Sequence, residues 1–341
     1  MRVLFACAAA LALSGCATGA VLADQVVAPA LDRALQTRSQ VADGPIITLP
    51  PVAGEVQRPA AAATADSGTV PLGTKWLYSS AEAAAVSVQA FRQLGSYVQA
   101  RHAAQPPASV LLGLPDRPDG LGTETCLLPG GGRKPAAVIF DGDETLILNR
   151  GHEYWRATSG QPFDPAVWAE WERTGNPQLA PVPGAVAAVR ALREAGITPI
   201  INTNRALETA ADTVRGFAQL GLGDFVIGET LFVRGMDAAG SDKDPRRARI
   251  AARYCVLAQV GDNLGDFADL FNERELGAQE RRRIALRGEV AQLWGNGWFV
   301  LPNPVYGAFD RGGIDDVFPP DARWQPGTQV RTAPDIMTQG N

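Results

Sequence analysis

The sequence predicts an α/β fold in which a parallel β-sheet is sandwiched between layers of helices. Three short, mostly apolar runs rich in β-branched residues, 136–140, 197–201 and 254–260, are separated by segments with helical spacing. Strands that are buried on both faces of a parallel sheet have this nearly continuous apolar character. Carboxylate, hydroxyl or amide side chains follow each run, and open α/β sheets bind ligands at the carboxyl ends of their strands. We therefore expect the functional site at this edge of the sheet.

The overall composition is typical of a globular protein with a large core. The chain has 341 residues, of which 46% are hydrophobic, and its formal net charge is −5. The length permits one large domain or two modest ones. We expect no nucleic-acid polymer as a partner, because binding one favours a basic patch.

The first residues are typical of a secretory signal. A basic start at Met1-Arg2 precedes the apolar run 3–13, which is too short to span a bilayer as a mature helix. The run ends in Leu13-Ser14-Gly15-Cys16, which resembles the lipobox of bacterial lipoproteins. This predicts a signal peptide over 1–15 and lipidation at Cys16, and the alternative is an ordinary signal peptide that is cleaved elsewhere.

A flexible tether over 16–73 and an added N-terminal helix are predicted next. The tether has scattered prolines and no sustained periodicity, so it buries too little apolar surface to offset the entropy of ordering. From Trp76 to about Ala104 apolar residues recur at helical spacing, with Ser79 or Ser80 as the predicted N-cap. The segment 105–134 is rich in proline and glycine and is predicted to be a loop.

The first predicted strand, 136–140, presents Asp141 and Asp143 at its tip. If the strand simply continued, both carboxylates would share one face, because side chains alternate with a period of two. One acid could then attack a substrate or hold a metal ion while the other donates a proton. The alternative is an acidic turn without chemistry.

The remaining elements complete one domain over 74–320. An insertion over about 149–180 is crowded with aromatic residues, whose alternative role is core packing. Beyond it we expect helices at 181–196 and 207–219, a strand around Phe225 and Val226, a solvated helix within 274–295 and a strand at 298–301. The tail, 321–341, is predicted to be disordered.

Four separated motifs resemble those of the haloacid dehalogenase (HAD) superfamily of phosphohydrolases. They are Asp141-Gly142-Asp143, Thr203, Lys243 and the pair Asp262 and Asp266. Their flanking residues, together with Leu301-Pro302-Asn303-Pro304-Val305-Tyr306-Gly307, resemble the class C acid phosphatases, which are bacterial outer-membrane lipoprotein acid phosphatases and 5′-nucleotidases. The resemblance covers about 74–310, and it implies a HAD-like Rossmannoid sheet with the insertion as a small cap. One departure is Leu148, which precedes Asn149 where this family often has an acid.

The resemblance implies a role for each acidic residue. Asp141 would be the nucleophile that forms an aspartyl-phosphate, and Asp143 would be the general acid and base. The implied cofactor is Mg²⁺, held by the carboxylates of Asp141 and Asp262 and by the backbone carbonyl of Asp143. Asp266 is expected either just outside these metal ligands or as a third residue that anchors the metal ion.

The phosphate and the leaving group would be held by other residues. Thr203, Asn204 and Lys243 are expected at the phosphate, and Arg205 is expected to brace the phosphate loop. For Arg246 and Arg247 we expect surface salt bridges, and the alternative is that one of them braces the loop that carries Lys243. The predicted substrate pocket contains Phe163, Tyr306 and His152.

The sequence therefore predicts a Mg²⁺-dependent acid phosphatase that hydrolyses phosphomonoesters, with 5′-nucleotides as the favoured class. A lipid-anchored phosphotransferase and a non-catalytic binding lipoprotein on the same fold are the alternatives. By the family pattern, the lipid anchor would lie in the bacterial outer membrane and the protein would face the periplasm or the cell exterior. A homodimer is left open. Whether Cys126 and Cys255 form a disulfide is also left open, with a slight preference for free buried thiols.

Overall fold

The computed structural model describes residues 70–114 and 122–326. The predicted signal peptide, the lipidation site at Cys16 and the tether up to residue 69 lie outside the described residues. Within the described ranges, no helix has both the length and the apolar character needed to cross a bilayer.

A five-stranded parallel sheet forms the centre of the described domain. Its strands are β1 (Ala136–Phe140), β4 (Thr198–Ala206), β5 (Leu231–Arg234), β6 (Cys255–Gly261) and β7 (Trp298–Val300). Their spatial order is β5–β4–β1–β6–β7, and every neighbouring pair is parallel. All five residues of β1 are buried, as the central position of this strand requires. The predicted α/β class and parallel sheet are confirmed.

Helices cover both faces of this sheet. They are α2 (Ala81–Ala103), α5 (Ala185–Glu194), α6 (Ala210–Gln219), α7 (Asp244–Arg253), α8 (Ala278–Ala285) and α9 (Gly288–Ala291). Alternate residues of β1 pack into two separate cores: Val138 and Phe140 lie in the core that contains residues of α2, α5 and α6, whereas Ala137 and Ile139 lie in the core that contains residues of α7, α8 and α9. The sheet is therefore sandwiched between two helical layers.

The predicted N-terminal helix is interrupted at Ser80. The structure has a short helix, α1 (Leu72–Ser79), before α2, and Ser80 between them has an extended backbone. The Ala83 N–H donates to Ser80 Oγ at 3.0 Å, so Ser80 is the N-cap of α2.

The insertion after β1 forms two helices above a short antiparallel ribbon. The ribbon pairs β2 (Ile147–Leu148) with β3 (Ala180–Pro181), and the helices are α3 (Arg150–Ser159) and α4 (Pro165–Thr174). The ribbon closes the insertion at its base, so the chain leaves and rejoins the domain beside the tip of β1.

The predicted strand around Phe225 and Val226 is wrong. The Val226 carbonyl accepts hydrogen bonds from three backbone N–H groups, those of residues 229, 230 and 231, and so belongs to a turn. The neighbouring Phe225 packs against Phe217 at 5.7 Å between ring centroids. The edge strand forms instead at β5, where a second apolar run follows this turn.

The slight preference for free thiols at Cys126 and Cys255 is also wrong, because the structure joins them in a disulfide. Their Cα atoms lie 4.6 Å apart. The loop before β1 folds back on itself: the Cys126 N–H donates to the Pro107 carbonyl at 2.9 Å, and the Lys134 N–H donates to the Cys126 carbonyl at 2.9 Å. This turn brings Cys126 to the first residue of β6.

The C-terminal part of the described chain contains α10 (Ile314–Val317) and a 3₁₀ turn at Pro320–Ala322. The predicted disordered tail begins within this turn, and residues 327–341 lie outside the described part of the chain.

Candidate active site

The carboxyl ends of β1, β4 and β6 bring the motif residues together. Asp141 follows β1 directly, and its N–H donates to the Val260 carbonyl of β6 at 2.9 Å. Asp262 follows β6 directly, and Thr203 lies in the second half of β4. Because β1 lies between β4 and β6, the carboxyl ends of the three strands lie side by side at one edge of the sheet.

Lys243 links two of the carboxylates at this edge of the sheet. Its Nζ donates to Asp141 Oδ1 and, at 2.7 Å, to Asp266 Oδ1. The backbone of Lys243, just before α7, is fixed because its N–H donates to Asp269 Oδ1 at 2.8 Å. Burial disfavours the charged amine, but the two carboxylates outweigh burial and raise the pKa of Lys243.

Asp141, Asp262 and Asp266 form a carboxylate cluster that fits a metal ion. One oxygen from each of these residues lies within 4.8 Å of the others. Burial raises the pKa of Asp141 to about 7 against the opposing effect of Lys243, and burial also raises the pKa of Asp262 well above its ordinary value. The single positive charge of Lys243 does not balance three carboxylates. A hard cation that prefers oxygen ligands would supply the missing positive charge. Asp266 belongs to this cluster, which favours its predicted alternative role as a third anchor.

Asp262 is oriented by neighbours from three segments. Thr145 Oγ1 donates to Asp262 Oδ1 at 2.8 Å, and Asn303 Nδ2 donates to Oδ2 at 2.7 Å. The amide of Asn263 also donates to Oδ2, at 2.6 Å. These contacts hold the carboxylate in one orientation beside Asp141.

The Asp143 side chain is paired with Arg205. Arg205 donates to Asp143 Oδ1 from Nε at 2.9 Å and from Nη2 at 2.8 Å. Asn149 Nδ2 donates to the same oxygen at 2.9 Å. The other oxygen, Oδ2, has longer contacts, 3.3 Å to Arg205 Nε and 3.5 Å to Thr203 Oγ1. Arg205 thus holds the predicted general acid, where we expected it to brace the phosphate loop.

Thr203 and Asn204 lie at the end of β4 next to this pair. Thr203 is completely buried, and a Cβ placed on Gly142 would lie 3.2 Å from its Oγ1, so the Asp141-Gly142-Asp143 turn packs closely against it. Asn204 lines a cavity that is also lined by Asp141 and Asp143. Its Oδ1 accepts from Arg246 Nη2 at 2.6 Å, which leaves its amide hydrogens for other partners.

Arg246 and Arg247 are fully buried, so the expected surface salt bridges are wrong. Arg246 Nε donates to Asn202 Oδ1 at 2.8 Å. Arg247 pairs with Asp244 and, at 3.2 Å, with Asp269, and its Nη1 donates to the Asp266 carbonyl at 2.7 Å. Arg247 thus holds the loop that carries Asp266, and Arg246 Nη1 donates to the Gly240 carbonyl at 3.2 Å in the loop before Lys243, in agreement with the alternative role in bracing this loop.

A cavity of about 530 Å³ lies between the acids and the insertion. Among its lining residues are Asp141, Asp143, Lys243 and Asp262 together with His152, Phe163, Trp168, Asn204 and Tyr306. Phe163 is 56% exposed. All three predicted pocket residues therefore line the same cavity as the motif residues.

His152 is buried among aromatic rings. Its ring centroid lies 4.9 Å from that of Trp168, edge on, and 6.4 Å from that of Phe163. Its Nδ1 lies 3.2 Å from Glu153 Oε1. The buried Nε2 has no hydrogen-bond partner among the described residues.

The sequence did not single out Glu144 or the side chain of Asn149 as site residues. Glu144 is 1% exposed, and its carboxylate accepts hydrogen bonds from Tyr78, Asn149 and Tyr306. A glutamate immediately after the second acid of the motif was a visible signal, but its partners are distant in the sequence.

Known proteins resemble this chain in sequence and in structure. The family model described as HAD superfamily, subfamily IIIB (Acid phosphatase) matches residues 123–309. Among similar solved structures is the class C acid phosphatase from Bacillus anthracis, with a TM-score of 0.55 and 18% identity over 70% of this chain and 84% of that chain. The class C acid phosphatase from the same organism with tungstate bound has a TM-score of 0.54 at the same identity and coverage. At this identity the two structures establish a shared fold.

Proposed function

The chain belongs to the acid phosphatases of HAD subfamily IIIB and is a phosphomonoesterase; we propose that it acts through an aspartyl-phosphate at Asp141, uses Mg²⁺ and favours 5′-nucleotides. The observation that carries this proposal is the meeting of Asp141, Lys243, Asp262 and Asp266 at the tip of β1. A nucleophilic carboxylate, a buried cation and further acids at one point are what phosphoryl transfer to a carboxylate requires.

The first step transfers the phosphoryl group to the protein. An oxygen of Asp141 attacks phosphorus in line with the ester oxygen, and the bond between phosphorus and that oxygen breaks. Lys243 and Thr203 stabilise the charge on the phosphoryl oxygens. Asp143 donates its proton to the departing alcohol oxygen. Oδ2 suits this transfer better than Oδ1, because the three shortest contacts of this carboxyl group are to Oδ1.

The second step releases phosphate. Asp143, now a carboxylate, takes a proton from a water molecule as that water attacks the phosphorus of the aspartyl-phosphate. The bond between phosphorus and the Asp141 oxygen breaks, which regenerates the Asp141 carboxylate and the protonated Asp143.

Asp141, Asp262 and Asp266 would hold Mg²⁺ through their carboxylate oxygens, and the backbone carbonyl of Asp143 would be a further ligand. When bound, the ion supplies Lewis-acid neutralisation of phosphoryl charge. The hydrogen bonds from Thr145 and Asn303 to Asp262 support this assignment, because oriented carboxylates bind metal ions more strongly.

The cavity between the acids and the insertion supports the proposal that the leaving group is a nucleoside. Its volume of about 530 Å³ lies within the usual range for small-molecule sites. The exposed ring of Phe163 and the ring of Tyr306 offer aromatic surface for stacking on a flat base. Comparing nucleoside 5′-monophosphates with sugar phosphates, at acidic and neutral pH, tests this preference, and equal kcat/KM for both classes would contradict it.

We also propose that the protein is an outer-membrane lipoprotein of the bacterial cell envelope. The sequence around Cys16 supports this, as does the disulfide between Cys126 and Cys255, because disulfides persist in oxidising compartments. Incorporation of labelled palmitate into the wild type and its loss in Cys16→Ala is the expected result. Equal labelling of the two proteins would contradict the proposal.

The decisive test of the activity compares Asp141→Asn with Asp224→Asn, in which an exposed aspartate outside the site is changed. We expect hydrolysis of p-nitrophenyl phosphate by the wild type and by Asp224→Asn, loss of activity on chelation of divalent ions and recovery with Mg²⁺. Asp141→Asn should be inactive. An Asp141→Asn protein as active as the wild type would refute the aspartyl-phosphate mechanism.

A further inference from the structure

Glu144 has an unusual backbone conformation beside the predicted general acid. Its φ is 54°, in the left-handed region that non-glycine residues rarely adopt. Such a conformation persists where surrounding contacts impose it, and it is frequent at functional sites. Glu144 also lines the cavity that contains Asp141 and Asp143.

The Glu144 carboxylate joins three separate parts of the domain. Tyr78 of α1 donates its hydroxyl to Oε1 at 2.6 Å. Asn149, at the start of the cap, donates to Oε1 twice, from its backbone N–H at 3.1 Å and from Nδ2 at 3.0 Å. Tyr306, after β7, donates its hydroxyl to Oε2. A buried carboxylate with this many donors is held in one position.

Asn149 connects Glu144 to Asp143 through its side-chain amide. Its Nδ2 carries two hydrogens, and the two acceptors within reach are Glu144 Oε1 at 3.0 Å and Asp143 Oδ1 at 2.9 Å. Its Oδ1 accepts from Arg205 Nη2 at 2.8 Å and from Trp171 Nε1 at 2.8 Å. All the hydrogen-bonding groups of this amide are used, so the amide has one orientation and Asp143 Oδ1 has a fixed donor.

We propose that Glu144 is a positioning residue for proton transfer: through Asn149 it holds Oδ1 of Asp143, so that Oδ2 faces the ester oxygen of the substrate. The proposal rests on the proposed phosphatase function and adds to it a residue that acts on Asp143. It also makes α1 and the loop after β7 part of the catalytic arrangement, because Tyr78 and Tyr306, which are far apart in the sequence, both hold Glu144.

The dependence of rate on the leaving group separates positioning from a purely structural role. An alkyl alcohol is a strongly basic leaving group and needs the proton of Asp143, whereas p-nitrophenolate leaves with little assistance. Misplacing Oδ2 should therefore slow the cleavage of alkyl phosphates selectively. A general loss of folded protein or of metal binding would slow both substrates equally.

The experiment measures kcat/KM for p-nitrophenyl phosphate and for an alkyl phosphomonoester, because kcat/KM reports the step in which the leaving group departs. The full-length variants are Glu144→Ala, Asn149→Ala and the double variant. For Glu144→Ala we expect a loss of about 10- to 100-fold with the alkyl ester and of less than about 3-fold with the nitrophenyl ester. The Asn149→Ala variant should have the same selectivity, and the double variant should be no worse than the poorer single variant.

Two matched variants complete the test. Glu144→Gln keeps an acceptor oxygen for Tyr78 and Asn149 and should keep most of the alkyl-ester activity. Glu144→Asp shortens the reach of the carboxylate and should give the selective loss even if Glu144→Ala does not fold. Equal losses with both esters in Glu144→Asp and Asn149→Ala, or fully multiplicative effects in the double variant, would overturn the proposal. A wild-type protein inactive toward both esters would instead overturn the proposed function.

Discussion

The Asp141 carboxylate is subject to two opposing influences on its pKa. Burial raises this pKa to about 7 from an ordinary value of 3.8, and the buried amine of Lys243 opposes the rise. The pKa of Asp262 moves in the same direction, also because of burial. Both acids therefore hold protons more tightly in the metal-free fold than in the unfolded chain.

Acidic pH should stabilise the metal-free protein. Between pH 3.8 and about 7 the folded state binds more protons than the unfolded state, so the free energy of unfolding falls as pH rises through this window. Each pKa unit corresponds to about 1.4 kcal/mol, so the rise of the Asp141 pKa from 3.8 to about 7 by itself corresponds to a fall of about 4 kcal/mol in the free energy of unfolding. Urea unfolding in the presence of a chelator measures it. With Mg²⁺ the fall should be smaller, since bound carboxylates are already deprotonated, and a metal-free protein that gained stability over this range would contradict the prediction.

Replacing Lys243 should affect Mg²⁺ and phosphate binding in opposite directions. Lys243→Met keeps the length of the side chain but removes the positive charge beside Asp141 and Asp266. We expect Mg²⁺ to bind about 5-fold more tightly or better, whereas kcat should fall by about 100-fold or more because a cation on the phosphoryl group is lost. Calorimetry with Mg²⁺ and steady-state kinetics measure the two effects. Lys75→Met, at an exposed position of α1, is the control, and weaker Mg²⁺ binding by Lys243→Met would contradict the prediction.

At the scale of secondary-structure elements, Glu172 attaches the cap to the end of β4. This residue of α4 is 1% exposed. Its Oε2 accepts from the Ala206 N–H at 3.1 Å and from the hydroxyl of Thr209, while Oε1 accepts from Trp168 Nε1. The Trp168 ring lies 5.7 Å from the guanidinium of Arg205, so the cap and the partner of Asp143 are in contact.

Removal of this carboxylate should therefore destabilise the protein and loosen the cap. In Glu172→Ala the Ala206 N–H, the Thr209 hydroxyl and Trp168 Nε1 lose this acceptor, and we expect a loss of about 2–4 kcal/mol in the free energy of unfolding together with a higher KM for nucleotides. Urea unfolding and steady-state kinetics measure these effects. Glu170→Ala, at an exposed position of the same helix, should match the wild type, and equal stability of the two variants would show that Glu172 does not anchor the cap.

The residues at the strand tips could be predicted from the sequence, because the pattern that identifies each strand lies within a few consecutive residues. Apolar runs identify the strands, and the carboxyl-edge rule brings Asp141, Thr203 and Asp262 together whatever the loops do. The edge strand was misplaced because two apolar runs lie on either side of one turn and either could pair with β4. Local pattern does not decide between them.

The residues that hold the site in place could not be predicted, because their partners come from distant parts of the chain. For Arg246 and Arg247 the sequence favours surface salt bridges, with bracing of the Lys243 loop by one of them as the alternative. They are buried because acceptors arrive from the ends of β4 and β6. Glu144 is similar: Tyr78 and Tyr306 lie 66 and 162 residues away along the chain.

At the scale of the whole molecule, the disulfide encloses most of the motif residues. Cys126 and Cys255 are separated by 129 positions, and the loop between them contains Asp141, Thr203 and Lys243. Both cysteines are buried, and the bond connects the segment before β1 to the first residue of β6. It reduces the entropy of the unfolded chain more than a bond that closes a short loop would.

Loss of this disulfide should therefore destabilise the protein with little effect on its chemistry, because neither cysteine lines the cavity that holds the acids. For a closed loop of 129 positions we expect the free energy of unfolding to fall by about 2–5 kcal/mol in Cys126→Ala with Cys255→Ala. Each single variant also breaks the bond, so either one should lose nearly as much as the double variant, and kcat at room temperature should stay close to that of the wild type. Urea unfolding of the four proteins measures this. Additive losses from the two single variants would mean that the cysteines contribute separately by packing and that the covalent bond adds little to the stability of the fold.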